Sequence, residues 1–122
     1  MIKIGIDLIE IGRIERILSS NKNFLKFVMG DREFIWLSSC GFLARSVAAN
    51  FCGKEAFLKS VGLGIGTLKL KDIQVIRCES GAPVLEFSGK ARDYVDKLGC
   101  EFSLSLTHTV SVACAVVVGS KN

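Results

Sequence analysis

The chain has 122 residues, 49% of them hydrophobic and 23% charged, enough apolar material for one domain with a packed core and too regular for extended disorder. Its formal charge of +4 suits acidic partners or anionic substrates, but the basic residues are scattered from Lys3 to Lys121. They form no dense basic stripe interleaved with aromatics, which sets a nucleic-acid partner aside.

Ile2, Ile4, Ile6 and Leu8 alternate with Lys3, Gly5 and Asp7, the period of a strand with one packed face. Taking the isoleucines as that face puts Asp7 on the other side, near the strand end. Across Glu10–Ser20 the period becomes helical, with Ile11, Ile14, Ile17 and Leu18 on one face. Asn21–Gly30 reads as a short second helix stopped by Gly30, and Asp31 as the cap of a third that packs through Phe34, Ile35 and Leu37. The longest helix is expected over about residues 42–61, and Gly62, Gly64 and Gly66 stop it. Strands are expected at Leu68–Leu70, Ile73–Cys78 and Pro83–Phe87, with a turn at Ser80–Gly81. Ser88 is placed to cap a helix over Gly89–Leu98, which Gly99 ends. Phe102, Leu104 and Leu106 then alternate with Ser103, Ser105 and Thr107, and Val112–Val118 is apolar on both faces, as in a central strand. The links between Ile76 and Leu85 and between Thr107 and Val112 are too short for parallel crossovers. The expected fold is one α+β domain over residues 1–122, with a mixed or antiparallel sheet packed by helices.

No apolar run approaches the roughly 18–20 residues that cross a bilayer. The N-terminus lacks the ordered basic, apolar and small-residue segments of a secretory leader, so no membrane partner and a cytoplasmic location are expected. Five cysteines (Cys40, Cys52, Cys78, Cys100, Cys114) give no CxxC pair and read as reduced structural thiols.

Glu55 is the most informative residue. On a helical wheel it falls inside a stripe formed by Ala44, Ala48, Phe51 and Cys52, where an unpaired carboxylate is costly. Asp7 is the second acid, either as a helix cap or, with Gly5 allowing close approach, as a ligand of a hard cation. Magnesium suits oxygen donors, keeps several waters and bridges to substrate phosphate, so two carboxylates suffice. Lys59 follows Glu55 at i+4, either as a helix ion pair worth a few tenths of a kcal/mol or as a phosphate clamp. His108 is the only histidine, on the same side as Leu106, and is either a hydrogen-bonded structural residue or, with Ser105, Thr107 and Thr109, part of a phosphate-receiving strand end. No serine, histidine and acid can be assigned as a catalytic triad. The three glycines follow a helix, opposite to the order of a nucleotide-binding loop.

Taken together, these residues resemble the small bacterial holo-[acyl-carrier-protein] synthases of the 4′-phosphopantetheinyl transferases. The resemblance rests on Gly5-Ile6-Asp7 followed by Glu10-Ile11-Gly12-Arg13-Ile14, on Gly53-Lys54-Glu55-Ala56-Phe57-Leu58-Lys59-Ser60-Val61-Gly62, on Gly81-Ala82-Pro83, and on Leu104-Ser105-Leu106-Thr107-His108-Thr109. It implies Mg²⁺ bound by Asp7 and Glu55, and transfer of 4′-phosphopantetheine from coenzyme A to a serine of apo-acyl carrier protein, with release of adenosine 3′,5′-bisphosphate. Glu55 or a metal-positioned water would accept the serine proton, and Lys59 would clamp the pyrophosphate. Arg45, Thr107, His108 and Thr109 would contact coenzyme A, and Arg13 and Arg45 would meet the acidic carrier. The resemblance also implies a homotrimer with sites at subunit interfaces. Phe57 points about 160° from Glu55, beside Asn50, Gly53 and Ser60, where a second subunit or an intrachain helix would cover it. The chain departs from the family at Asn50-Phe51-Cys52-Gly53, at Val110 and at Val112; Gly53 is expected to loosen the helix by up to about 1 kcal/mol. The alternative in a different class is a noncatalytic module that binds carrier protein on the same fold.

Overall fold

The structure, a computed structural model, describes residues 1–121. Its elements in chain order are β1 (Ile2–Glu10), α1 (Ile11–Ser20), α2 (Phe24–Val28), α3 (Asp31–Ser39), α4 (Ala44–Ser60), β2 (Ile73–Arg77), β3 (Pro83–Phe87), α5 (Gly89–Leu98), β4 (Cys100–His108) and β5 (Val112–Lys121). The strands form two antiparallel sheets, one ordered β1-β5-β4 and the other a β2-β3 hairpin. Both short links are therefore hairpins, and β5 is central, as its two apolar faces required.

α4 lies between the two sheets and is buried on nearly all sides. Its approach to β1 is possible because residue 5 is glycine: a Cβ there would stand 1.9 Å from the Ala56 carbonyl oxygen and 2.6 Å from the Ser60 nitrogen. The close approach that Gly5 permits is thus that of the α4 backbone. Gly53 serves the opposite contact, where a Cβ would meet Val75 Cγ2 at 2.8 Å. Its cost in helix propensity is offset by tight packing against β2.

That placement reverses the expected faces of β1. Gly5 and Ile9 point to α4 and are buried, with Asp7 on the same side, whereas Ile2, Ile4, Ile6 and Leu8 are 61–71% exposed. A period of two defines two faces but not which one is covered. The stripe containing Glu55 is also the more open side of α4: Ala44, Phe51 and Glu55 are half-buried and Lys59 is exposed, although Ala48 and Cys52 are buried.

Phe57 is fully buried within the chain, with ring centroids 4.8 Å from Phe87 and 5.0 Å from Phe102. It is a core residue and not an intersubunit anchor. Asn50, Gly53 and Ser60, which look polar beside it on a helical wheel, are buried with it.

Three smaller expectations also change. Leu68–Leu70 forms no strand; a single 3₁₀ turn spans Leu70–Asp72, and the Leu70 carbonyl accepts a hydrogen bond from Lys54 Nζ at 2.9 Å instead of a strand partner. α2 ends at Val28, and Gly30 is the residue before α3, so Asp31 caps nothing; the Glu33 carboxylate reaches back to the Gly30 N–H at 3.0 Å. Ser88 precedes α5 without a side-chain cap, its hydroxyl donating to Asp72 at 3.1 Å, whereas Gly99 ends that helix in the left-handed conformation at φ 64°.

Candidate active site

The first cluster of chemistry forms where α4 crosses β1. Lys59 Nζ donates to Asp7 Oδ1 and to the Ile6 carbonyl, each at 3.1 Å. The side chain of Asp7 is 15% exposed and that of Lys59 is 55% exposed, so the carboxylate is fixed and the ammonium reaches it from solvent. Asp7 does not cap α1, whose first turn has no side-chain cap. Lys59 pairs with Asp7 across the fold and forms no salt bridge to Glu55 among the described residues.

Glu55 lies beside this pair. Burial and then the Asp7 charge push its carboxyl up, and Lys59 pulls it back. Beneath it Cys52 is fully buried and donates to the Ala113 carbonyl at 3.6 Å; burial, then Asp7, raise its thiol, which therefore stays protonated. Two neighbouring carboxylates, with Asp7 raising the charging cost of Glu55, offer hard oxygen donors that fit a divalent cation such as Mg²⁺. Among the described residues no group of three or more His, Cys, Asp or Glu side chains is placed to hold a metal. Such an ion would therefore take its remaining ligands from water and substrate phosphate, which is how Mg²⁺ is usually held.

A second cluster forms at the end of β4. A cavity of about 280 Å³ is bordered by Arg45, Arg77, Trp36, Pro83, Thr107 and His108. His108 Nδ1 lies 3.1 Å from the Thr109 carbonyl, which assigns a donor proton to Nδ1 and leaves Nε2 for a ligand. Thr109 Oγ1 accepts from the backbone of Ser111 (3.2 Å) and Val112 (3.0 Å), so it shapes the hairpin turn. Thr107 and Ser105 alternate onto the outer face of the sheet, away from α4, although Thr107 still borders the cavity. Arg45 and His108 also line an adjoining depression with Thr109 and Val110. Arg13 stands apart, beside Glu10 and Arg16 in a small recess at the start of α1.

None of Asp7, Glu55 and Lys59 borders the His108 cavity. Asp7 and Leu106 both face Ala115 from opposite sides of β5, so the two clusters are separated by roughly two strand spacings, about 10 Å. A separate cavity of about 640 Å³ between Phe27, Ile65, Leu68 and Lys90 contains none of the candidate site residues.

Sequence reasoning missed Trp36 and Arg77 in the second cluster and the Glu33–Lys54 pair behind the first. Lys54 and Glu33 are both fully buried and ion-paired. Arg77 carries no motif, and only its place at the end of a mostly apolar strand (Ile73, Val75, Ile76) was a signal.

An acid pair beside a lysine on an α+β fold is an arrangement suited to phosphoryl transfer, and the comparison with known families makes the assignment specific. The chain belongs to the 4′-phosphopantetheinyl transferase superfamily, whose sequence model matches residues 3–116. It is 44% identical over 117 residues to a holo-[acyl-carrier-protein] synthase of Syntrophus aciditrophicus, covering 93% of this chain and 91% of that protein. The crystal structure of the Neisseria meningitidis holo-[acyl-carrier-protein] synthase superposes with a TM-score of 0.90 at 27% identity, over 99% of this chain and all (100%) of that one. The Helicobacter pylori synthase in complex with coenzyme A superposes with a TM-score of 0.81 at 32% identity, covering 96% and 99% of the two chains.

Proposed function

We infer that this chain transfers 4′-phosphopantetheine from coenzyme A to a serine hydroxyl of apo-acyl carrier protein. The observation that carries the reading is the Asp7–Glu55–Lys59 cluster at the crossing of β1 and α4, inside the region matched to the superfamily. No protein nucleophile is required, because the attacking oxygen belongs to the carrier.

In this reaction the serine oxygen forms a bond to the β-phosphorus of the coenzyme A pyrophosphate. The P–O bond to the nucleotide side breaks, and adenosine 3′,5′-bisphosphate leaves with the electron pair. Asp7 and Glu55 would hold Mg²⁺, which when bound neutralises pyrophosphate charge. Lys59, more than half exposed, swings from Asp7 to the phosphate and stabilises the charge that develops on the leaving oxygen. Glu55, or a water positioned beside it, would accept the serine proton. Arg45, His108 and the end of β4 hold the nucleotide end of coenzyme A. Exposed Arg45 and Arg13 offer positive charge to an acidic carrier.

The assembly that fits is a homotrimer. The outer face of β1, with Ile2, Ile4, Ile6 and Leu8, continues across β5 through Val116 and Val118 as an apolar sheet surface left uncovered by the single chain. Packing that face against a second protomer would cover it, in line with the interface sites that the family resemblance implies. Ile4→Asp is expected to leave the folded protomer within about 0.5 kcal/mol, since residue 4 is exposed, while giving a smaller species by light scattering. Unchanged assembly across a concentration series would count against this face. Five unbridged cysteines suit the reducing cytoplasm, and the activity would supply carrier protein for fatty acid synthesis. No helix among the described residues is long and apolar enough to cross a membrane.

Incubating the chain with coenzyme A, Mg²⁺ and an apo-carrier protein should add the phosphopantetheine mass to the carrier, read by intact-protein mass spectrometry. Omitting Mg²⁺ or adding a chelator should abolish the shift. Carrier binding without a mass shift would instead identify a noncatalytic binding module.

A further inference from the structure

Arg77 extends from the end of β2 into the second cluster. Its guanidinium lies over the Trp36 ring, 4.1 Å from the centroid, and its Nη2 donates to Asn50 Oδ1 at 3.0 Å. That is the one hydrogen bond it makes among the described residues, out of five donors. Nη1 is buried and has no partner among the described residues. An unmade bond from a buried charged donor is unfavourable and needs a reason.

Among the described residues no protein anion supplies the missing acceptor. Glu33, whose charge reaches Arg77, already accepts from Lys54, Gly30 and Asn50. The cavity that Arg77 borders has Arg45 and His108 on its walls and no Asp or Glu among its lining residues. It is a cationic cavity whose most constrained donor lacks a counterion among the described residues.

Coenzyme A carries anions at two places, the pyrophosphate and the phosphomonoester on ribose C3′. The pyrophosphate must lie at the Asp7–Glu55–Lys59 cluster, because the bond that breaks is there. The other anion is then what a second cationic cavity can take. We propose that Arg77, flat on Trp36 and anchored by Asn50, is the residue with which this chain reads the 3′-phosphate of coenzyme A. The planar fork of a guanidinium matches a phosphate, and the stack and the Asn50 bond fix its orientation before the ligand arrives. The inference rests on the coenzyme A reading above.

The test compares binding of adenosine 3′,5′-bisphosphate and adenosine 5′-monophosphate by isothermal titration calorimetry. The full chain and Arg77→Met are used, with circular dichroism to verify folding. The unaltered protein is expected to prefer the bisphosphate by about 10- to 100-fold, the worth of charged hydrogen bonds to one phosphate. Arg77→Met should reduce that preference below about threefold. Arg77→Lys should give an intermediate preference, since it keeps the charge and loses the fork. If the methionine variant does not fold, Arg77→Gln, which keeps an amide able to reach Asn50, takes its place. Equal weakening of both nucleotides in the folded variant would make Arg77 a structural residue and overturn the proposal. So would a preference that survives the substitution, or none in the unaltered protein. Failure of phosphopantetheine transfer to carrier protein would overturn the functional reading instead, while the ratio of nucleotide affinities still decides the role of Arg77.

Discussion

Glu55→Gln is expected to reduce phosphopantetheine transfer by about 100-fold or more, the scale for losing a general base, without destabilising the protein. The amide keeps the size of the side chain and its place on α4, but it neither accepts a proton nor carries charge for a cation. The effect on stability follows from the raised carboxyl of Glu55, which burial and then Asp7 produce. A group with a raised folded-state value favours the fold while it is protonated, and that contribution is lost as pH rises from the ordinary carboxylate range through the raised value. At neutral pH, in the presence of a chelator, ionised Glu55 therefore opposes folding slightly, and the glutamine variant should match or exceed the parent in urea. The advantage should shrink as pH falls below the carboxylate range, where both proteins carry a neutral group. Near-parental turnover in the variant, or a clear loss of urea resistance at neutral pH, would remove Glu55 from the chemistry and make it a structural carboxylate.

The acid pair was legible in the sequence because burying or half-burying charge has few cheap solutions, and both Asp7 and Glu55 stand among apolar neighbours. Lys59 was legible through its spacing from Glu55, although the structure gives it Asp7 as its partner, a contact 52 residues away that no local spacing reveals. The faces were harder. β1 alternates cleanly, but the more hydrophobic of its two sides is the uncovered one, because Gly5 had to face α4 to admit its backbone. A helix enclosed by two sheets likewise has no polar side to orient by, and Phe57, Lys54 and Asn50 all turned out to be interior. Gly53 has the same explanation: read alone it is a weak helix former, and against Val75 it is the residue that fits. Arg77 and Trp36 come from β2 and α3 and meet only in the fold, so neither carried a readable pattern.

Lys54→Met is expected to produce the largest loss of stability, about 3–5 kcal/mol, the cost of leaving one member of a buried ion pair alone. Lys54 Nζ is enclosed and pairs with Glu33, while also donating to the carbonyls of Leu70 (2.9 Å) and Ile73 (2.6 Å). Glu33 in turn accepts from the Gly30 backbone and from Asn50, whose amide also reaches the Val75 carbonyl at 3.1 Å. One ammonium thus ties α4 to α3, to the 3₁₀ turn and to β2, immediately beside Glu55. Removing it leaves the Glu33 carboxylate in a dry site and two carbonyls without a donor. Burial already pushes the Glu33 carboxyl up, so the lone acid should take up a proton on folding, and the loss should be smaller in mildly acidic buffer than at neutral pH. Glu33→Met together with Lys54→Met should recover part of the loss, since two apolar side chains replace the pair without stranding a charge. Urea denaturation of the two single variants and the double variant closes the thermodynamic cycle. A strictly additive double variant would mean that the two residues stabilise the fold separately, and that the pair is not what fixes α4 beside Asp7.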